Sequence, residues 1–573
     1  MREEAIVLKF GSSVLRSPAD LPVAVDEIYR HVREGRKVVA VVSAFAGVTD
    51  RLIERAQAVG GCADPHAYAA LVGSGELESA AMLALSLAQH GVPSRLLPPE
   101  QLGLCAHGDP VDAEPHDVDL GLLRATLAEA QAVVVPGFLA HDEANRAVLL
   151  GRGGSDYTAL FLARRLGVDC ILLKDVDGLY ERDPAASGPT PRRFTQVTWD
   201  EALRVAGRLV QPKTIRFAQL HRQSFRVTRP GAARLTLVGP GPSALEHATR
   251  PPPVRVVLLG LGTVGRGVYE RLSVLPRQFE IARVVVRDVG KHAAAGMPRE
   301  VLSSNPWDAV NVAADVVVEA LGGEMPAVEV LLAALLAGRQ VVTANKAALA
   351  SHWDTFARFA GPPSRALRFS AAAGGAVPVL ERLRALAAGA TPVAVRGVLN
   401  GTCNYLLDRL AQGAGWREAH AEAQALGFTE PDSSADVSGL DAEFKLRLCA
   451  GVLFGRMPDA IVRSGIGHLA QERPPSEDIG LLRLVASLTR DGDRLLAQVC
   501  TESLEPSDFL AGARGEDNRV EIKLADGGIL RLGGKGAGRW PTTAALLGDL
   551  WEVARELERA DASPRPVPLA ASG

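Results

Sequence analysis

A chain of 573 residues, 47% hydrophobic and 23% charged, has the composition of a folded globular protein. It is too long for one ordinary core, and at ~100–200 residues per domain three or four packing units are expected. The formal net charge of -3 gives no electrostatic footprint for nucleic acid or an acidic membrane, which leaves small molecules as the expected partners. The six cysteines are scattered with no CxxC pair, so neither a disulfide frame nor a zinc site is suggested, and a reducing, cytoplasmic setting is expected. The first ten residues enter a strand-like run at once rather than in a signal peptide's basic-then-apolar order. No charge-free stretch reaches the ~20 residues that span a bilayer, so the chain is expected to be neither exported nor embedded.

Short β-rich runs at 5–10, 37–43, 132–136, 170–174, 254–259 and 314–319 alternate with longer Ala/Leu/Arg segments. That rhythm predicts an α/β protein built from βαβ units, with largely parallel sheets covered by helices. The sharpest break is GPGPSALEHATRPPP at 239–253, where glycine and proline crowd together and periodicity vanishes. The expected divisions are a first domain over 1–238, a linker over 239–253, a second βαβ domain over 254–349 and a third domain over 350–541 with a different set of polar clusters. A helix over 542–560 then returns to the second domain, and a frayed tail covers 561–573.

Three loops in the first half combine glycine with charge at strand ends. KFGSS at 9–13 places Lys9 as a point charge beside Gly11 and Ser12, whose backbone N–H groups can turn toward an anion; taken alone it also reads as an ordinary turn. GRGGSDYT at 151–158 feeds a helix start, and Arg152 among glycines can pair with a carboxylate in two-pronged fashion; a plain helix start capped by Ser155 or Asp156 accounts for the acid but not the arginine. KDVDGLY at 174–180 leaves its strand with two acids and an aromatic, suited to Mg²⁺ held through nucleotide phosphates or to a surface along adenine, or else a simple Asp-Gly turn.

In this order the three loops resemble the amino acid kinase family, and the second is close to the signature of aspartate kinase. The resemblance spans about 5–238 and takes in VVSA at 41–44, GVTD at 47–50, GE at 75–76, PGF at 136–138 and DP at 183–184. It implies that Lys9 stabilises the transferring phosphoryl group, that Arg152 holds the substrate α-carboxylate, and that Thr49, Glu76 and Ser155 bind the rest of the amino acid. Gly11, Ser12, Asp156, Lys174, Asp175, Tyr180 and Arg208 then lie on the side of Mg-ATP. The departures cluster there: the first loop is one residue short, Lys174 stands where a threonine is usual, Ala185 and Gln211 replace an arginine and a histidine, and Arg208 is near the place of a lysine. The KFGSS and DVDGLY strings also resemble glutamate kinases.

In the second half, the apolar strand 254–259 runs into GLGTVG at 260–265 and then a helix-like run. This is the setting in which Gly260, Gly262, Thr263, Val264 and Gly265 make a tight turn that admits a pyrophosphate. The next strand ends at Arg287-Asp288 with Lys291 just beyond; two cations against one acid favour the 2′-phosphate of NADP over the 2′-hydroxyl of NAD. Thr343 and Lys346 close another strand, where open α/β sheets bind ligands, and both are expected at the cofactor. Glu430, Asp436, Asp441 and Lys445 crowd together, and Asp441 to Lys445 is one helical turn; alone, this also reads as a solvated helix start.

GLGTVG, TANKAALA, AAAGGAVPV, GVLNGTCNYLL, GFTEPDSSADVSGLDAEFKL and GKGAGRWPTTAALLGDL, in that order, resemble homoserine dehydrogenase over about 254–557, which implies a Rossmann nucleotide-binding domain over 254–349 and an α+β catalytic and dimerisation domain over 350–541. The resemblance implies Lys445 as proton donor to the aldehyde oxygen and Lys346 between nicotinamide and substrate, with Glu430 and Asp441 holding the substrate ammonium and Asp436 also at the substrate. Partial burial lets such a lysine exchange a proton near neutrality. Ser370 replaces an acid that often ligates a monovalent cation, leaving the carbonyls of Ala373 and Gly375 as the place for Na⁺ or K⁺.

The expectation is a homodimeric or larger bifunctional enzyme without the regulatory domains common in such fusions, and without strong threonine feedback. It makes 4-phospho-L-aspartate and reduces L-aspartate 4-semialdehyde to L-homoserine. The alternative keeps the dehydrogenase and makes the kinase-like half inactive or specific for another small acidic amino acid.

Overall fold

The computed structural model describes residues 5–186, 191–207, 209–247, 251–361, 364–426, 433–470 and 481–562. The chain divides into two compact units, 1–89 with 93–251 and 555–573, and 90–92 with 252–554.

In the first unit the strands at the middle of the sheet are apolar runs, and Lys37–Val42 and Ala132–Pro136 are buried throughout, as parallel sheets require when helices cover both faces. Six neighbouring strands of a nine-stranded sheet run in the order β6-β5-β1-β2-β4-β3, with β3 at the edge; they are β1 Ala5–Phe10, β2 Lys37–Val42, β3 Ser94–Leu96, β4 Ala132–Pro136, β5 Asp169–Leu173 and β6 Phe225–Thr228. These six pair in parallel throughout, so their carboxyl ends share one edge of the sheet. Helix α1, Pro65–Gln89, is long and apolar enough by length and composition to cross a membrane; here Val72, Glu76, Leu83 and Leu87 are buried. Helix α2, Gly154–Leu166, is buried through its first ten residues.

The expected linker is shorter than its composition suggests. Ala244–Glu246 is a strand that pairs antiparallel with Arg193–Val197, so the first half of 239–253 belongs to the kinase-like sheet. Backbone donors of an edge strand were available to satisfy it, and composition does not record them.

The second unit begins with a six-stranded parallel sheet in the order β9-β8-β7-β10-β11-β12, where β7 is Val254–Leu259, β8 Phe279–Val285, β9 Leu302–Ser303, β10 Val316–Glu319, β11 Gln340–Thr343 and β12 Leu367–Arg368. The reversal of strand order about β7 is a topological switch point. Because β12 pairs with β11, this sheet extends past the boundary expected at 349. A second six-stranded sheet, mostly antiparallel, is built on Pro392–Val398 between Leu482–Asp491 and Asp517–Leu524. Helix α3, Thr263–Ser273, follows β7. Helices α4, Lys346–Ser351, α5, Gly401–Ala411, and α6, Leu440–Phe454, carry the polar residues of interest. The last helix, α7, Arg539–Ala562, returns to the nucleotide-binding sheet: a Cβ on Gly267 would lie 2.4 Å from Thr543 Oγ1, and Trp551 meets Phe279 edge-on at 4.8 Å. Residues 563–573 of the expected tail lie outside the described residues.

Helix α6 leans on Trp353 through Gly451, where an added Cβ would stand 2.4 Å from Trp353 Cε2. Alanine in place of glycine favours a helix by about 1 kcal/mol, but overpacking a rigid indole costs ~1–3 kcal/mol. Gly451→Ala is therefore expected to destabilise the second unit. Urea denaturation followed by tryptophan fluorescence checks this, and an unchanged or higher midpoint would count against the packing described.

Candidate active sites

A cavity of about 510 Å³ opens at the carboxyl edge of the first sheet, the size range of small-molecule sites. Lys9 sits in register with Leu172 on β5, and Lys174 is the first residue beyond that strand. Both buried ammonium groups converge on Asp156, Lys9 at 2.7 Å and Lys174 at 2.8 Å. Asp156 stands in the first turn of α2, where a carboxylate also meets the positive end of the helix. Burial works against its charge, yet Lys174 and Lys9 hold it below the usual carboxylate range. Burial outweighs Asp156 at Lys9 and brings its pKa down to about 8. Two cations against one anion leave this floor positive, suited to phosphate oxygens.

The helix cap is Gly153, in left-handed conformation at φ +83°, so neither Ser155 nor Asp156 caps it; that frees Asp156 for the lysines. Ser12, Thr49, Glu76, Arg152 and Ser155 line the cavity with Lys9, Asp156 and Lys174. Arg152 is exposed at its edge. Glu76 is 3% exposed, and burial pushes its carboxyl up to about 7. Gly11 turns the chain beside Lys9: a Cβ there would stand 3.0 Å from the Lys9 ammonium.

Two residues expected on the nucleotide side lie outside the lining of this cavity. Asp175 is exposed and does not line the cavity, and the Tyr180 hydroxyl donates to Asp177 at 2.6 Å, so the loop spends its aromatic on its own turn. Arg208 lies outside the described residues. Gln211 and the apolar group Ile53, Tyr68 and Val72 also line the cavity and carried no sequence signal of their own beyond Gln211's place in its segment.

In the second unit, the turn after β7 is shaped for close backbone approach. Gly260 has φ +94°, and a Cβ on it would strike the Ala320 carbonyl at 2.6 Å; on Gly265 it would strike the Gly260 carbonyl at 2.2 Å; at Gly262 it would meet nothing within 4 Å. Tight turn, helix packing and an open approach are thus divided among three glycines, with Thr263 and Val264 opening α3. These residues fit a dinucleotide pyrophosphate. Beyond β8, the Asp288 side chain accepts the Lys291 N–H at 2.9 Å and so caps the following helix, while the Arg287 and Lys291 side chains are exposed.

The lysines named from sequence are brought together by one carboxylate. Lys346 lies 3.0 Å from Asp441 Oδ1, and Lys445 lies 2.8 Å from Oδ2. Burial opposes charge on Asp441, but Lys445 and then Lys346 hold it well below the usual range. Lys445 also donates to the Leu399 carbonyl at 2.6 Å. Asn400 donates to Asp436 at 2.7 Å and to Asp441 at 2.8 Å, fixing two acids that would otherwise repel. Burial, then the negative Asp441, raises the Asp436 carboxyl. Glu430 lies outside the described residues. Asn400 and the Leu399 carbonyl went unread because they act through tertiary contact; the NG pair in GVLNGTCNYLL was the available hint.

The segment expected to offer carbonyls to a monovalent cation is tied to neighbouring elements. Ser370 donates through its N–H and hydroxyl to both oxygens of Asp549, at 2.9 and 2.7 Å, so a carboxylate is present after all, supplied by α7. Gly375, at φ +54°, packs against the Gly536 carbonyl. Among the described residues, no group of three or more His, Cys, Asp or Glu side chains is placed to hold a metal.

Three family models match the chain: the amino acid kinase family over 4–227, the NAD-binding domain of homoserine dehydrogenase over 260–361, and homoserine dehydrogenase over 378–551. The homoserine dehydrogenase of Mycobacterium tuberculosis is 34% identical over 330 residues, covering 55% of this chain and 75% of that protein. That of Synechocystis is 32% identical over 333 residues, covering 55% and 77%. A solved homoserine dehydrogenase from Thiobacillus denitrificans is 32% identical over 55% of this chain and 76% of its own, with a TM-score of 0.48. A nicotinamide cofactor therefore belongs to the second unit's chemistry. The chain belongs to the homoserine dehydrogenase family and carries an amino acid kinase domain ahead of it, the arrangement of a bifunctional aspartate kinase and homoserine dehydrogenase.

Proposed function

We propose that the second unit interconverts L-aspartate 4-semialdehyde and L-homoserine with NADP(H) favoured over NAD(H), and that the first unit phosphorylates the side-chain carboxylate of L-aspartate with Mg-ATP. The observation that carries the reading is Asp441 spanning Lys346 and Lys445. In the reductive direction Lys445 gives a proton to the aldehyde oxygen as that oxygen gains charge. Lys346 holds the substrate against the cofactor side, and Asp436 and Asp441 face the substrate ammonium. The bound nicotinamide supplies the hydride. The preference for NADP rests on Asp288 being committed to a helix cap while Arg287 and Lys291 remain exposed. Carbonyls at Ala373 and Gly375 would hold Na⁺ or K⁺, steadied by Asp549 through Ser370.

In the first unit, Lys9 and Lys174 take up charge on the transferring phosphoryl group. Arg152 pairs with the substrate α-carboxylate, and Glu76 with Thr49 meets its ammonium. Mg²⁺ would arrive with the nucleotide phosphates. The apolar stretch Ile53, Tyr68 and Val72 favours one second reading, a longer acidic amino acid such as glutamate, which a substrate panel in the hydroxylamine assay separates. The enzyme would work in the cytoplasm as a homodimer or larger homo-oligomer.

Purified protein given homoserine and NADP⁺ should develop the reduced-nicotinamide absorbance, and with aspartate, Mg-ATP and hydroxylamine it should form the hydroxamate. No hydroxamate would leave the first unit without its proposed activity. Lys445→Ala is expected to lower kcat for homoserine at least ~100-fold with cofactor affinity retained; near-normal turnover would remove Lys445 from the chemistry.

Replacing both Arg287 and Lys291 with serine should raise KM for NADP⁺ about tenfold or more and move KM for NAD⁺ little, since a 2′-phosphate loses charge-assisted partners. Equal effects on the two cofactors would contradict the preference.

Glu76 sets a pH dependence. Its raised pKa of about 7 means the ionised form that welcomes an ammonium appears as pH rises through that value. Aspartate binding, measured by calorimetry without nucleotide, should strengthen roughly tenfold between about pH 6 and about pH 8. Glu76→Gln should bind weakly with that rise abolished; a rise that persists in the variant would place the titrating group elsewhere.

A further inference from the structure

The chemistry above leaves unused a carboxylate at the carboxyl end of β10. Glu319 is fully buried. It is in register with Leu259, the last residue before the glycine turn, and with Thr343 on the other side. Its Oε1 accepts the N–H of Leu321 at 2.7 Å, the N–H of Gly322 at 3.4 Å and the Asn345 carboxamide at 3.4 Å. Its Oε2 accepts the Thr343 hydroxyl, whose oxygen accepts the Asn345 N–H at 2.9 Å. Asn345 in turn donates to the Gly323 carbonyl at 2.6 Å and caps α4 by accepting the Ala348 N–H at 3.1 Å. The next residue is Lys346.

A buried carboxyl is a costly way to join two loops when an apolar side chain would fill the space at less expense. Burial raises this one above the ordinary carboxylate range despite four donors. We propose that Glu319 is a positioning residue for the dehydrogenase reaction: by clamping the turn after β11 to the turn after β10, it fixes the point from which Lys346 reaches Asp441. This rests on the reading of Lys346 and Lys445 given above. A glutamine at 319 keeps an acceptor for Leu321 and Gly322 and offers a donor to the Thr343 oxygen, whereas alanine keeps neither.

The test is homoserine oxidation by the full chain carrying Glu319→Ala, Glu319→Gln or Thr343→Val, with NADP⁺ affinity measured separately by quenching of tryptophan fluorescence. Glu319→Ala is expected to lower kcat about 100-fold, the scale of a 1 Å displacement at a reacting centre. Cofactor affinity should stay within about threefold, and Glu319→Gln should recover kcat to within about tenfold of the parent. Homoserine deuterated at the carbon that gives up hydride should show a larger isotope effect on kcat in the alanine variant, because the transfer step has slowed. The proposal is overturned by unchanged kcat, or by parallel loss of cofactor affinity and kcat in alanine and glutamine variants alike, as a merely structural role would give. Should Glu319→Ala fail to fold, Thr343→Val removes a single hydroxyl and carries the same test, with a lower kcat at retained cofactor affinity expected. Absence of homoserine turnover in the parent protein would instead sink the underlying reading of the site.

Discussion

In each unit a buried aspartate spans two lysines, Asp156 between Lys9 and Lys174 and Asp441 between Lys346 and Lys445. A lone ammonium or carboxylate in such a place would lose its hydration and neutralise. Within each triplet the lysines hold the aspartate below its usual range, and two ammonium groups meet one carboxylate. For folding alone this is a poor bargain, since apolar packing is as stable or more so. It fixes the direction of two flexible side chains, which is what transition-state recognition needs.

The surrounding architecture exists to present that triplet. Parallel strands deliver their carboxyl ends to one edge, so Lys9, Lys174, Glu319 and Thr343 all leave sheets on the side where ligands bind. Helices then offer their first turns to the same edge: α2 brings Asp156 and α6 brings Asp441. Each carboxylate gains from the helix's positive end as well as from its lysines. Glycine supplies what these approaches require in backbone shape, most plainly at Gly260 and Gly153, both in the left-handed region.

Much of this was readable in one dimension, for identifiable reasons. A glycine turn between strand and helix has a spacing fixed by backbone geometry, so GLGTVG declared itself. Asp441 and Lys445 share a helix, and their one-turn separation is visible in the string. The contacts of Leu399 and Asn400 were not, because a carbonyl has no side-chain signature and Asn400 bridges residues 36 and 41 positions away. Glu319 ends the β-rich run 314–319, and nothing in the string records its partners at 321, 322, 343 and 345. The bond from the Tyr180 hydroxyl to Asp177 was equally out of reach, because an aromatic next to an acidic loop can aim its hydroxyl at either acid. The short strand at Ala244–Glu246 was hidden by prolines and glycines on both sides.

That strand bears on any attempt to obtain the kinase half by itself. Cleaving the polypeptide where its composition changes, at 239, would strip Arg193–Val197 of its outer neighbour and leave a row of unsatisfied amides open to other chains. Material prepared that way would tend to stick to itself, and a silent preparation could then be mistaken for a dead enzyme.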